Sequence, residues 1–292
     1  MNVLVTGATG FTGSRVVPLL IERGYGVRCF VRPSGDRERI RVAPGAVEWA
    51  AGDLADPASL RRALTGVDAL VNIASLGFGH APGIVEAARA AGVRRAIFVG
   101  TTAIFTNLNA PSKAVRTAAE ETIRESGLDW TLVRPTMIYG GPDDRNIARL
   151  IRYLRRAPVI PIFGDGRSLQ QPVYVGDVAR ALVEALAAPV AIGQAYNVSG
   201  AAPLTYNEVI ATVCAMLSRR VGVIHLPAGA IIRALGVAER LPIPLPIKAE
   251  QVLRLNEDKA FDHAPAARDM GYQPRTFREG IALQLAEMGL VR

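Results

Sequence analysis

Short runs of β-branched and apolar residues alternate along the chain with longer stretches in which apolar residues recur every three or four positions. The short runs predict strands at residues 2–6, 26–31, 47–51, 69–73, 95–100, 130–134 and 195–198. The longer spacing predicts helices at 13–23, 57–64, 81–91, 112–126, 145–156 and 176–187. Because each strand meets a helix before its next parallel neighbour, the expected class is α/β, a doubly wound parallel sheet covered on both faces. From about Gly200 the rhythm changes to helices and proline-rich segments, notably 241–247, LPIPLPI. The expected division is a main domain over 1–200, with 165–200 also serving a substrate side, and a small, mostly helical covering region over 201–292. Residues 221–245, apolar apart from His225, Arg233, Glu239 and Arg240, are read as a buried helix walling a pocket, in preference to a membrane-surface or partner contact.

Composition narrows the function classes. The chain has 292 residues, 34 basic against 26 acidic, and a net charge of +8. The basic residues are 31 arginines and 3 lysines, dispersed without a recognition motif, so nucleic-acid binding is not expected. Arg145, Arg149, Arg152 and Arg156 follow helical spacing, with Arg155 beside them. A solvated helix face is the plain reading, and a phosphate-bearing substrate or partner the sharper one. No run approaches the roughly 18 apolar residues of a spanning helix, and no secretory leader is read at Met1, so a cytoplasmic protein is expected. Cys29 and Cys214 lie far apart and His80, His225 and His263 are scattered, which predicts reduced core thiols and no metal.

The strongest chemical signal is VLVTGATGFTG, residues 3–13, where Gly7, Gly10 and Gly13 stand between an apolar strand and an amphipathic helix. Such a turn lets the backbone approach a pyrophosphate, which the helix N-terminus then receives with unpaired N–H groups and a partial positive charge. Dinucleotide binding by a Rossmann-type sheet is therefore expected. The second strand, VRCFVRPSGD, ends in Arg32 rather than in an acid, with Ser34, Arg37 and Arg39 close behind. A guanidinium there suits a 2′-phosphate, so NADP is favoured, with NAD as the alternative should Asp36 turn in.

With that turn in place, the chain resembles the extended and atypical short-chain dehydrogenase/reductase superfamily over nearly its whole length. The segments that carry the resemblance are GDLADPASL at 52–60, VNIAS at 71–75, VGTTA at 99–103 and LVRPTMIYG at 132–140. QPVYVGDVARAL at 171–182, YNVSG at 196–200 and DMGYQPRTFREGI at 269–281 complete it. The resemblance implies that Asp53 and Leu54 sit beside the adenine and that the strand ending at Ser75 passes the ribose. The cofactor set it implies is Gly7, Thr9, Gly10, Phe11, Thr12, Gly13, Arg32, Asp53, Leu54, Ala74, Ser75 and Pro135. A homodimer through the helices at 81–91 and 112–126 is also implied.

Members of the superfamily pair a tyrosine with a lysine four residues on, and this sequence departs from that pattern. Matching Lys113 to the lysine puts Asn109 at the tyrosine position, whereas anchoring on AAEETIRESGLDWTLVRP gives Arg116 and Ser112. Neither residue is a readily ionised phenol. The candidate catalytic residues are thus Thr102, at the hydroxyl position with Thr101 as near alternative, Lys113, and Tyr139 as a substitute acid. Asp177 is read as a helix cap or an arginine partner, and Arg134 as a ligand contact or a structural ion pair. The first functional expectation is an NAD(P)-dependent oxidoreductase or epimerase acting on a polar, nucleotide-sugar or phosphorylated small molecule. The alternative is a catalytically silent NADP(H)-binding sensor, or an assembly factor resembling the accessory subunit of respiratory complex I.

Overall fold

A computed structural model describes residues 1–108, 111–239 and 248–290. Asn109, Arg240 and the whole LPIPLPI segment, 241–247, therefore lie outside the described residues. In chain order the elements begin β1 (Asn2–Thr6), α1 (Gly13–Glu22), β2 (Gly26–Val31), β3 (Glu48–Ala51), α2 (Pro57–Leu64) and β4 (Ala69–Asn72). They continue with α3 (Ala81–Ala90), β5 (Arg95–Val99), α4 (Pro111–Arg124), β6 (Asp129–Pro135), β7 (Ile138–Tyr139), α5 (Ile147–Leu154) and β8 (Val159–Phe163). Next come β9 (Leu169–Gln170), β10 (Val173–Tyr174), α6 (Val175–Ala187), β11 (Gln194–Val198), β12 (Leu204–Thr205), α7 (Tyr206–Met216) and β13 (Gly222–Leu226). The last are α8 (Ala228–Ala238), α9 (Ala249–Leu255), α10 (Ala264–Met270) and α11 (Phe277–Glu287).

Two compact units emerge, and the chain passes between them more than once. The first holds 1–136, 175–198 and 262–273; the second holds 137–174, 199–261 and 274–292. Strand pairing assigns the segments, since the chain leaves the large sheet after β6 and returns to it only with β11.

In the first unit seven parallel strands run in the order β3-β2-β1-β4-β5-β6-β11. This is the Rossmann-type doubly wound sheet, with its strand-order reversal between β1 and β4. Val3, Leu4, Val5, Leu70, Ile97, Phe98, Leu132 and Val133 are at most 1% exposed, as expected of strands covered on both faces. Helix starts follow local chemistry: Asp56 accepts from the Ala58 N–H at 3.1 Å and Pro57 opens α2. Cys29 is buried on β2, and burial pushes its thiol up to about 12, so it is an inert packing group.

The second unit contains small sheets as well as helices: β7 pairs with β10, β9 with β12 and β8 with β13. Asp144, 4% exposed, accepts from the N–H groups of Asn146 and Ala148 at 2.7 and 2.9 Å and so fixes the start of α5. That helix buries Ile147, Ala148, Ile151 and Leu154 and leaves Arg149 and Arg152 exposed; Arg145, Arg155 and Arg156 flank it, also exposed. Two expectations are corrected here. Cys214 is only half-buried. The apolar stretch from residue 221 to 239 is not a buried helix: it forms β13 and then α8, none of whose residues is buried, with α8 packed beside the short α9. No helix of the described residues is long and apolar enough to cross a membrane.

Candidate cofactor and active site

Backbone geometry sets the site at the end of β1. Gly7 has φ +66°, and a Cβ there would lie 2.8 Å from the Ala74 nitrogen; one on Gly13 would lie 2.1 Å from the Gly7 carbonyl oxygen. No other residue type fits either place, and the close approach brings the β1 turn against the end of β4. Gly10 closes the turn by donating its N–H to the Gly7 carbonyl at 2.9 Å. Helix α1 then begins with no side-chain cap and no acid in its first turn, an N-terminus built to receive an external anion.

Sequence reasoning passed over the support behind this turn. Buried Thr6 donates its hydroxyl to the Asn72 side-chain oxygen at 2.7 Å, and the Asn72 amide donates to the Ala74 carbonyl at 3.1 Å. The pair ties β1 to β4 where the strand order reverses. A single polar residue at the end of each strand, Thr6 on β1 and Asn72 on β4, leaves no periodic signal that would pair them.

A cleft of about 560 Å³ opens from the glycine turn. It brings together Gly7, Thr9, Gly10, Arg32, Asp53, Leu54, Ala74 and Ser75 of the anticipated set, and adds Thr6, Phe30, Ser34, Gly35, Asp36, Arg39, Phe78 and His80. Phe11, Thr12 and Gly13 belong to the turn behind it, the latter two buried, and Pro135 ends β6 elsewhere in the unit. Arg32 is exposed at the cleft wall. Asp36 spends its carboxylate on the Glu38 N–H at 3.1 Å, capping a short 3-10 turn. Arg37 stacks over Trp49 at 5.0 Å and is not part of the cleft. The cradle and the uncapped helix start fit a dinucleotide diphosphate.

The candidate catalytic residues are not one cluster. Thr102, 7% exposed, opens a 3-10 turn after β5, and its hydroxyl donates to the Pro135 carbonyl at 3.4 Å. Thr101 caps that turn by accepting from the Ala103 N–H. Lys113 turns its ammonium to the Thr106 carbonyl at 2.6 Å. Arg116, one turn further along α4, donates to the Ser112 hydroxyl at 3.3 Å. Its guanidinium lies against Gly77, where an added Cβ would come within 3.2 Å of Nε, just past cleft residue Ser75. Tyr139 is 1% exposed inside the second unit, where its hydroxyl donates to the Phe277 carbonyl at 3.3 Å and packs on Gly280. Those contacts give it a packing role. Asp177 is buried and paired with Arg180.

Arg134 resolves as an ion pair. Its guanidinium reaches the carboxylate of Glu120, 2% exposed on α4, with Nε donating to Oε1 at 2.9 Å, while the Phe105 ring lies 5.3 Å away. Glu120 was not anticipated: within AAEETIRE it reads as one more acid on a solvated helix.

The NAD(P)H-binding family model matches residues 7–189. Among curated relatives, the 2-alkyl-3-oxoalkanoate reductase of Stenotrophomonas maltophilia (strain K279a) is 27% identical over 96% of this chain and 97% of its own length. The NAD(P)H azoreductase of Xenophilus azovorans is 31% identical over 75% of each. The solved UDP-glucose 4-epimerase of Thermotoga maritima shares the fold, with a TM-score of 0.76 at 21% identity over 99% of each chain.

Proposed function

The chain belongs to the NAD(P)H-binding family, within the extended and atypical short-chain dehydrogenase/reductase superfamily, and on that premise we propose that it is an NADPH-dependent reductase of a small carbonyl compound. The observation that carries the reading is the glycine turn opening into a cleft with Arg32 and Arg39 in its wall and the Asp36 carboxylate engaged elsewhere. Gly7, Gly10 and the α1 N-terminus hold the diphosphate, Leu54 and Asp53 flank the adenine, and Arg32 with Arg39 takes the 2′-phosphate. When bound, the nicotinamide supplies the hydride.

This chain's own residues do the rest. Arg116, beside Ser75 and Gly77, stands where the superfamily has its lysine and anchors the ribose; Ser112 occupies the tyrosine place. Thr102 donates a hydrogen bond to the substrate oxygen once its weak contact with Pro135 is exchanged. With no phenol to give up a proton, protonation runs from solvent through the Ser112 and Thr102 hydroxyls, which makes turnover slow. Lys113 stays with Thr106, and Tyr139 takes no part. The relatives' names, reductases of an oxoalkanoate and of azo compounds, support reduction over epimerisation. Ser112 in the place of the phenol favours, as a second reading, a protein that binds NADP(H) without turning it over.

Calorimetry with NADPH and NADH, followed by transfer of a stereospecifically placed deuteride from NADPH to a panel of ketones, tests both. Binding with label transfer supports the reductase; binding without transfer supports the silent protein. Absence of heat with either dinucleotide, or a Gly10→Asp variant that binds NADPH as the parent does, overturns the cofactor assignment.

A further inference from the structure

The second unit carries a surface that the proposed chemistry leaves unused. Strands β8 and β13 run parallel, with Val159 beside Gly222 and Pro161 beside Ile224. The Gly222 N–H donates to the Pro158 carbonyl at 2.8 Å, so both strands are entered at the same end. Each is entered through a pair of exposed arginines, Arg155–Arg156 before β8 and Arg219–Arg220 before β13. The pairing register therefore brings the two arginine pairs, each arginine separated from its strand by one to three residues, to the same end of the ribbon.

On β8 the two faces differ, whereas β13 is exposed on both from Gly222 to His225. Ile160 and Ile162 are 6% and 3% exposed and point inward. Register partners share a face, so Pro161 and Ile224 stand together on the outer one, where Pro161 is exposed and Ile224 is 51% exposed. The chain then enters α8, an apolar helix with no buried residue, on which Val237 is 64% exposed.

We propose that this arginine-edged ribbon, with α8, docks the protein on an anionic phospholipid surface. Guanidinium groups take lipid phosphates while the exposed aliphatic side chains enter the interfacial layer. The combination selects lipid. Nucleic acid would use the arginines but leave Ile224 and Val237 in water. A second copy in a twofold contact would bring the same uncompensated cations onto the same surface.

Flotation of the full chain with phosphatidylcholine vesicles, with and without phosphatidylglycerol, tests the proposal. Binding is expected only with the anionic lipid and weakens as salt rises. Arg155→Ala with Arg156→Ala should weaken partition by about 25-fold, taking a factor of about five for each surface arginine. Ile224→Asp with Val237→Asp should abolish it. NADPH affinity of these variants, unchanged from the parent, shows that they are folded. Equal binding to neutral vesicles, no binding to either, binding insensitive to both double variants, tighter association with an RNA oligonucleotide, or a dimer in light scattering that the Asp variants dissolve would each overturn it.

Discussion

The Arg134 guanidinium on β6 and the Glu120 carboxylate on α4 form a buried pair, their side chains 10% and 2% exposed. Glu120 also lies 3.0 Å from where a Cβ on Gly100 would stand, so the pair supports the backbone that leads from β5 into the Thr102 turn. Removing one member of such a pair strands the other charge away from water. Glu120→Gln should lower unfolding free energy by about 3 kcal/mol, measured by urea denaturation, and Glu120→Leu with Arg134→Met should regain most of it. A loss below about 0.5 kcal/mol in the single variant would show that the pair is solvated in solution.

Arg32 and Arg39 make a separate prediction about cofactor choice. If they receive the 2′-phosphate, Arg32→Ser with Arg39→Ser removes charge-assisted hydrogen bonds, each worth about 1.5 kcal/mol or more. NADPH affinity should fall at least tenfold while NADH affinity moves little. An equal loss for both dinucleotides would place these arginines on the diphosphate or in the fold, and would remove the argument for NADP.

How much of this was readable in the sequence follows from how far apart the deciding contacts lie. Strands such as Val3–Thr6 and Ala69–Asn72 are buried on both faces and announce themselves as apolar runs. The two-residue strands β7, β9, β10 and β12 are too short to show a period, and β8 contains Pro161, which argues locally against a strand. Apolar β13 looked continuous with the helix after it, because only its long-range pairing with β8 makes it a strand. In the site, the glycine turn was legible because its chemistry is local. Glu120 was not, since nothing in AAEETIRE says that one acid of three meets an arginine on β6. Between Lys113 and Arg116 the spacing left both registers open, because it does not give side-chain directions: Lys113 turns to the Thr106 carbonyl and Arg116 lies against Gly77.

Acid should erode stability through the helix caps. Glu208 accepts from the Thr205 hydroxyl and N–H, both at 2.7 Å, and Glu279 accepts from the Thr276 hydroxyl and N–H at 2.7 and 2.8 Å. In each case the side-chain hydrogen bond is the main cause, followed by the backbone one, that holds the carboxyl below the ordinary 4.5. A folded-state value below the unfolded one means the charged carboxylate stabilises the fold above pH 4.5, and that this gain is lost as pH falls through the lowered values. Thermal melts should therefore rank the parent above Glu208→Gln with Glu279→Gln at neutral pH, with the gap closing below pH 4.5. A gap that stays constant into acid would show that the carboxylate charges do not contribute.

Ser112 and Arg116 offer the sharpest check on the site. Arg116 lies against Gly77 beside the cleft, whereas Lys113 is held by Thr106. Arg116→Ala should accordingly raise the KM for NADPH well beyond any change in Lys113→Ala. Restoring a phenol and a lysine at the same spacing, Ser112→Tyr with Arg116→Lys, should supply the missing proton donor and raise kcat about 100-fold, the lower end of what general acid catalysis contributes. The gain should appear with an ionisation in the pH–rate profile that the parent lacks, because serine and arginine do not titrate in the working range whereas a lysine-assisted phenol does. The single Ser112→Tyr variant should gain less, since Arg116 would hold the ribose without the lysine's placement beside the phenol. If the double variant folds, binds NADPH and gains nothing while Lys113→Ala loses most of the activity, the superfamily lysine is Lys113, and Arg116 is left with its contact to Gly77.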